Sequence, residues 1–213
     1  MKHIHGLAIP TTLQDLCNPG RMALLVYDMQ VGICNQIKTG SQIIARIREL
    51  LEVARATGMR VAFTRHLSLP KAWMGATQFR TATAWQAKDE PDDIAPWFLR
   101  DASAFQIVSE LTPTSDEAVF DKITMSAFEG TPLTLALRDC GIVSIAIVGI
   151  ATEVGIEPTA RHAADLCFIP VIIADACGAG DEVAAQRSLE ALRFAGDAII
   201  SDTETFTDLL KRA

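Results

Sequence analysis

The segment Ala23-Leu-Leu-Val-Tyr-Asp28 is apolar up to its closing tyrosine and carboxylate. A strand of this kind offers no polar face to water, so it has to be covered from both sides. Ile142–Val148 has the same character, and Met59–Thr64, 118–121, Phe168–Ala174 and Ala198–Ser201 are shorter strand candidates. Between them lie helical patterns. Residues 41–57 place Ile44, Ile47, Leu50, Leu51 and Ala54 at helical spacing, with Ser41 as a plausible N-cap and Gly58 as a stop. Helices are also expected over 131–140, 155–167, 181–195 and 203–212. Strands alternating with helices imply right-handed crossovers and a parallel sheet. The expectation is a three-layer α/β/α, doubly wound domain with a mostly parallel six-stranded sheet, occupying 1–213 as one unit. Residues 66–117, which hold Trp73, Trp85 and Trp97, read as an insertion that forms a lid, a substrate wall, a packing flap or an oligomer interface.

The 213 residues are 49% hydrophobic and carry a net charge of −7, a balance that excludes an intrinsically disordered chain. With 19 Lys+Arg against 26 Asp+Glu and no basic cluster, nothing suits the chain to phosphate backbones, and no nucleic-acid partner is expected. No stretch reaches the length of a membrane span, and the first 20 residues do not read as a signal peptide. His3 and His5 are assigned to a mobile terminus. Cys17, Cys34, Cys140, Cys167 and Cys177 are odd in number and form no CxxC pair, which favours reduced thiols and a cytoplasmic location.

In an open parallel sheet, ligands bind beyond the carboxyl ends of the strands. The groups expected there are Asp28, Met29 and Gln30 after the first strand, and Thr64, Arg65 and His66 after the second. Asp121, Lys122, Ser126 and Phe128 follow the third, Gly149–Gly155 the fourth, and Asp175 and Cys177 the fifth. An acid and a lysine converging on that edge can move protons. The turn at 152–155 offers free backbone N–H groups to a carboxylate or developing oxyanion. No phosphate-binding glycine motif, nucleophile elbow or metal-ligand spacing is present, so no cofactor and no metal are expected.

These residues together resemble the isochorismatase-like hydrolases, a superfamily that also holds nicotinamidases, N-carbamoylsarcosine amidases and ureidoacrylate amidases. The resemblance rests on Leu25-Val-Tyr-Asp-Met-Gln30, on Asp121-Lys-Ile-Thr-Met-Ser-Ala-Phe-Glu-Gly-Thr131 and on Ile147-Val-Gly-Ile-Ala-Thr152. It continues through Thr159-Ala-Arg161, Ala164-Asp-Leu166 and Asp175-Ala-Cys177, spanning about residues 20–205. It implies Asp28 and Lys122 as the catalytic acid–base pair and a cis peptide between Ile150 and Ala151. Ala151, Thr152, Glu153, His66 and Phe128 are the candidate substrate contacts. It also implies a small-molecule substrate and a homo-oligomer.

Amidase relatives carry a nucleophilic cysteine three residues after Thr152; here that position is Gly155. Glycine has no side chain, so covalent thiolate chemistry cannot start there. Isochorismatases resemble this chain in having glycine at that point, and they use the aspartate to protonate a vinyl ether. They differ in carrying tyrosine at the place of Ala151 and histidine at that of Glu153. Glu153 is read as either a second proton-transfer group or a helix cap. Three functions follow: a hydrolase working by Asp28/Lys122 chemistry without a thiol, an amidase whose nucleophile is lost and which Gly155→Cys would restore, or a binding protein on the same fold. The tryptophans, with Phe79 and Phe98, suggest an aromatic wall for a planar substrate or a seal between insertion and sheet.

Overall fold

A computed structural model describes all residues, 1–213. The chain opens with a hairpin, β1 (Lys2–Ile4) and β2 (Leu7–Ile9), and a short α1 (Leu13–Leu16). It continues through β3 (Met22–Tyr27), α2 (Val31–Cys34), α3 (Gly40–Ala56), β4 (Arg60–His66), α4 (Ala76–Gln86) and β5 (Ala118–Lys122). The second half runs α5 (Leu133–Asp139), β6 (Ser144–Ile150), α6 (Glu157–Asp165), β7 (Ile169–Gly178), α7 (Glu182–Ala195), β8 (Ile199–Ser201) and α8 (Thr203–Lys211). His3 thus belongs to a paired strand (His3 opposite Ala8), with His5 in the turn that follows, and neither lies on a loose terminus.

Six strands form one sheet in the order β5-β4-β3-β6-β7-β8, all parallel. Alternation along β3 explains the layers. Met22, Leu24 and Val26 face a core built with Ile47, Leu50 and Leu51 of α3 and Phe206 and Leu210 of α8. Ala23, Leu25 and Tyr27 face the opposite core, built with Leu133 and Leu137 of α5, Ala160 and Ala163 of α6 and Leu192 of α7. Every residue of β3 and of β6 is buried, as expected of central strands covered on both sides.

From β3 the chain winds outward through β4 to β5, then returns to β6 on the other flank of β3. The strand order therefore reverses between β3 and β6, and the crevice beyond their carboxyl ends is where an open sheet of this type binds ligands. The 66–117 segment holds α4 and several single 3₁₀ turns and lies over that crevice. It is tied down by Asp121, whose carboxylate meets Arg65 of β4 at 2.7 Å and Arg100 of the segment at 2.6 Å. Buried Gln30 clamps the same seam: its Nε2 donates to the carbonyls of His66 and Phe105, each at 3.0 Å. No helix is long and apolar enough to cross a membrane.

Helix α8 is held by Asp175, whose Oδ1 accepts the Thr203 amide at 2.8 Å, and by fully buried Phe206. Phe206→Ala should cost about 3–5 kcal/mol of stability, read as a lower urea midpoint. Phe194→Ala on α7, where the ring is 94% exposed, should leave the midpoint unchanged.

Candidate active site

Asp28 is the first residue past β3 and has a positive φ of 48°, so its side chain leaves the strand's alternation and enters the crevice. Its carboxylate accepts from Thr64 Oγ1 at 2.7 Å and from Lys122 Nζ at 2.6 Å. The lysine arrives from β5, two strands away, because β4 pairs with both neighbours and sets His66 against Lys122. Both ends of the ion pair are buried: Asp28 is 3% exposed and Lys122 2%. Such a pair is retained only when its remaining donors and acceptors are met. Lys122 Nζ meets that condition, donating also to Tyr27 Oη at 2.8 Å and to the Thr124 carbonyl at 3.1 Å. Its three N–H groups are thereby assigned. Burial pulls the Lys122 pKa below that of an ordinary lysine, while the Asp28 carboxylate opposes the fall.

The pair opens onto a cavity of about 450 Å³ lined by Tyr27, Asp28, His66, Met125, Ala151 and Val154 and walled by Trp85, Trp97 and Phe98. A second chamber of about 380 Å³ continues beneath α4, sharing His66, Trp85, Trp97, Phe98 and Met125 with the first. No arginine or lysine lines either chamber. Trp85 and Trp97 thus form the aromatic wall, whereas Trp73 is 77% exposed and Phe79 lines neither chamber.

The structure brings Asp28, His66 and Ala151 to this cavity, with Lys122 buried behind Asp28, and takes the other expected contacts elsewhere. The Ile150–Ala151 bond is cis, at the place the resemblance implies. Thr152 turns its hydroxyl to the Gly178 carbonyl at 3.1 Å. Glu153 points away: its Oε1 accepts the amides of Gly180 and Asp181 at 2.7 and 2.9 Å, in the turn that leads into α7. Phe128 is 4% exposed and stacks on Phe168 at 5.9 Å, inside the core under α5 and α6. The apolar ring serves packing there and does not reach the cavity. The turn Thr152–Ile156 is a single π turn, with the Gly155 and Ile156 amides both donating to the Ala151 carbonyl. The amides of 152–154 precede those bonds, as free donors at a helix start do.

Gly155 is occupied space. A Cβ built there would fall inside the phenol of Tyr27, overlapping Oη and Cζ and lying 2.5 Å from Cε1. Gly155→Cys, the change that would restore a lost-nucleophile amidase, therefore requires the Tyr27 phenol to move. Tyr27 is the site residue that sequence reasoning passed over, whereas Thr64 was placed at the strand end without a role. Strand alternation was the available signal for Tyr27, since it assigns residues 23, 25 and 27 to the face on which the 155 turn sits.

His66 is held neutral, because burial pushes its pKa from 6.5 down to about 4. Between those values the unfolded chain takes up a proton that the folded chain refuses, so this group's contribution to stability is full above pH 6.5 and falls as the pH drops toward 4. The urea midpoint should decline from pH 7 to 4.5, and less steeply in His66→Asn. Equal slopes would show that the ring carries no such penalty.

The isochorismatase domain model matches residues 22–205. Among solved structures, a cysteine hydrolase from Pseudomonas syringae pv. phaseolicola superposes with a TM-score of 0.79 at 23% identity, covering 92% of this chain and 94% of that one. An isochorismatase family protein from Burkholderia thailandensis gives 0.75 at 25% identity, covering 96% and 100%. The N-carbamoylsarcosine amidase of Thermoplasma acidophilum gives 0.70 at 18%, covering 86% and 96%. With the domain model spanning the sheet from its central strand to its last helix, this chain belongs to the isochorismatase family of hydrolases.

Proposed function

We propose that the chain hydrolyses a small, uncharged molecule by proton transfer through the Asp28–Lys122 pair, with water rather than a side chain as the nucleophile. The observation that carries this reading is the volume of Tyr27 at Gly155, which leaves no room for any side chain at the thiol position. A cysteine merely exchanged for glycine would leave a hole; here the phenol fills it. That packing favours a site adapted to work without a thiol over an amidase that has lost one.

The pair offers one proton to give and a place to take one back. Cleavage of a vinyl ether uses both. The proton is delivered to the terminal vinyl carbon, whose C=C electron pair forms the new C–H bond and leaves an oxocarbenium ion. Water bonds to the cationic carbon and returns a proton to the pair. The hemiketal then releases an alcohol and a ketone, so one water is consumed and the pair ends as it began. Thr64 holds Asp28 in place during both transfers, and the Asp28 carboxylate faces the positive charge of the oxocarbenium ion.

The chambers support an uncharged substrate with an apolar body. They present aromatic and aliphatic walls, a neutral His66 and the Asp28 carboxyl, and no basic side chain to pair with a substrate carboxylate. The one ammonium at the site, Lys122, has its three donors assigned within the protein. Residues 66–117 act as the wall over the reacting group, within a chain that works as one domain.

Purified protein should release a carbonyl product from uncharged aryl vinyl ethers, and Asp28→Asn should slow that release by at least roughly 100-fold. Ammonia release from an amide panel that survives Asp28→Asn would overturn the reading. Trp85 and Trp97 give a separate test by fluorescence. 2-Naphthamide should quench them at a concentration about tenfold below 2-naphthoate, because burying the carboxylate of naphthoate beside Asp28 is unfavourable. Equal or tighter binding of naphthoate would exclude an uncharged substrate.

A further inference from the structure

We infer that Tyr27 is the residue that decides the chemistry of this site: its phenol takes the place of the missing nucleophile and holds Lys122 in its stead, so that positions 27 and 155 form one matched unit. The inference deepens the proposed function and rests on its placing proton transfer at Asp28 and Lys122.

Four observations converge on the ring. Its Oη lies where a side chain at 155 would begin. Lys122 Nζ donates to that oxygen at 2.8 Å and sits 4.3 Å from the ring centroid, so the ammonium is held by both the hydroxyl and the aromatic face. The hydroxyl proton goes to the Met125 carbonyl, which fixes the direction of the oxygen's lone pairs toward Lys122 and the cavity. Finally, Gly149, which pairs with Tyr27 across β3 and β6, has a φ of 128° and no room for a Cβ against the Tyr27 backbone. The Gly149–Gly155 segment is thus bare of side chains at both places where Tyr27 passes, once for its backbone and once for its ring.

The physical consequence concerns nucleophilicity. A thiol beside Asp28 and Lys122 would be deprotonated by its surroundings and attack carbonyl carbon. A phenol in the same place behaves differently. Burial, and then the Asp28 carboxylate, push its pKa well above the ordinary tyrosine value, so it stays protonated and serves as a neutral hydrogen-bonding post. Tyr27 is then a positioning residue: it sets the orientation of the lysine that shares the transferable proton, and it excludes every side chain from 155.

Tyr27 is the chain's single tyrosine, so its ionisation can be followed at 295 nm with no competing phenol. The wild-type absorbance should stay flat through pH 10, where free tyrosine titrates, and Asp28→Asn should bring the transition down in pH. A wild-type transition at or below pH 10, or one unmoved by Asp28→Asn, would overturn the inference. The matched pair is tested by exchange. Gly155→Cys alone should lower Tm by roughly 5–10 °C through overpacking, and the addition of Tyr27→Val should recover most of that loss. In the double variant, peptide-resolved mass spectrometry at pH 6.5 should find the thiol at 155 alkylated by iodoacetamide faster than exposed Cys140 and Cys167 of the same molecule. Tyr27→Phe, which keeps the ring volume, should leave Gly155→Cys unrecovered. A Gly155→Cys protein with unchanged Tm, or additive effects of the two substitutions, would show that the ring does not own that space. None of these readouts depends on turnover, so a failed activity assay and a failed match between 27 and 155 remain distinct results.

Discussion

The buried contact between Lys122 and Asp28 is the constraint around which the rest of the site is built. Taking an ammonium and a carboxylate out of water costs several kcal/mol per ion, and their attraction offsets that only with good geometry and full hydrogen bonding. The fold supplies both. Parallel pairing of β5 on β4 and of β4 on β3 places three strand ends side by side, with Lys122, Thr64 and Asp28 at hydrogen-bonding distance. The Thr124 carbonyl and Tyr27 hydroxyl take the remaining donors of the lysine. Anything that shifted one strand by a residue would strand a charge in the core.

Tyr27 couples this pair to the other half of the sheet. Its ring crosses from β3 toward the turn that follows β6, and that turn accepts it only because 149 and 155 are glycines. The turn thus holds no side chain at 155 and no vacancy. The chambers under α4 add aromatic and aliphatic walls and no basic side chain.

Much of this was legible in the sequence. The six strands and the main helices were readable because each central strand is apolar without interruption and each helix carries its own apolar stripe. The chemistry-bearing strand ends, Asp28, Lys122 and His66, were readable because a parallel sheet gathers its carboxyl edge. Shorter features were not. The hairpin of β1 and β2 is exposed along its whole length, so no burial pattern marks it. Helix α4 has no buried residue, and of its apolar side chains Ala82 and Trp85 face a cavity rather than a core. Phe128 and Glu153 sit beside motif residues in sequence yet point elsewhere, one to stack on Phe168 and one to the amides of Gly180 and Asp181.

The sequence by itself determined the layered parallel sheet, the family, the acid–lysine pair and the absence of a side chain at 155. These follow from local periodicity and residue identity, which need no knowledge of distant neighbours. Only the tertiary structure decided what that glycine means. Whether position 155 is a hole or a filled space depends on a ring 128 residues earlier in the chain, brought there by the pairing of Tyr27 with Gly149. Packing between strands and turns is a non-local property of volumes, and it becomes visible only when the two segments share the same space.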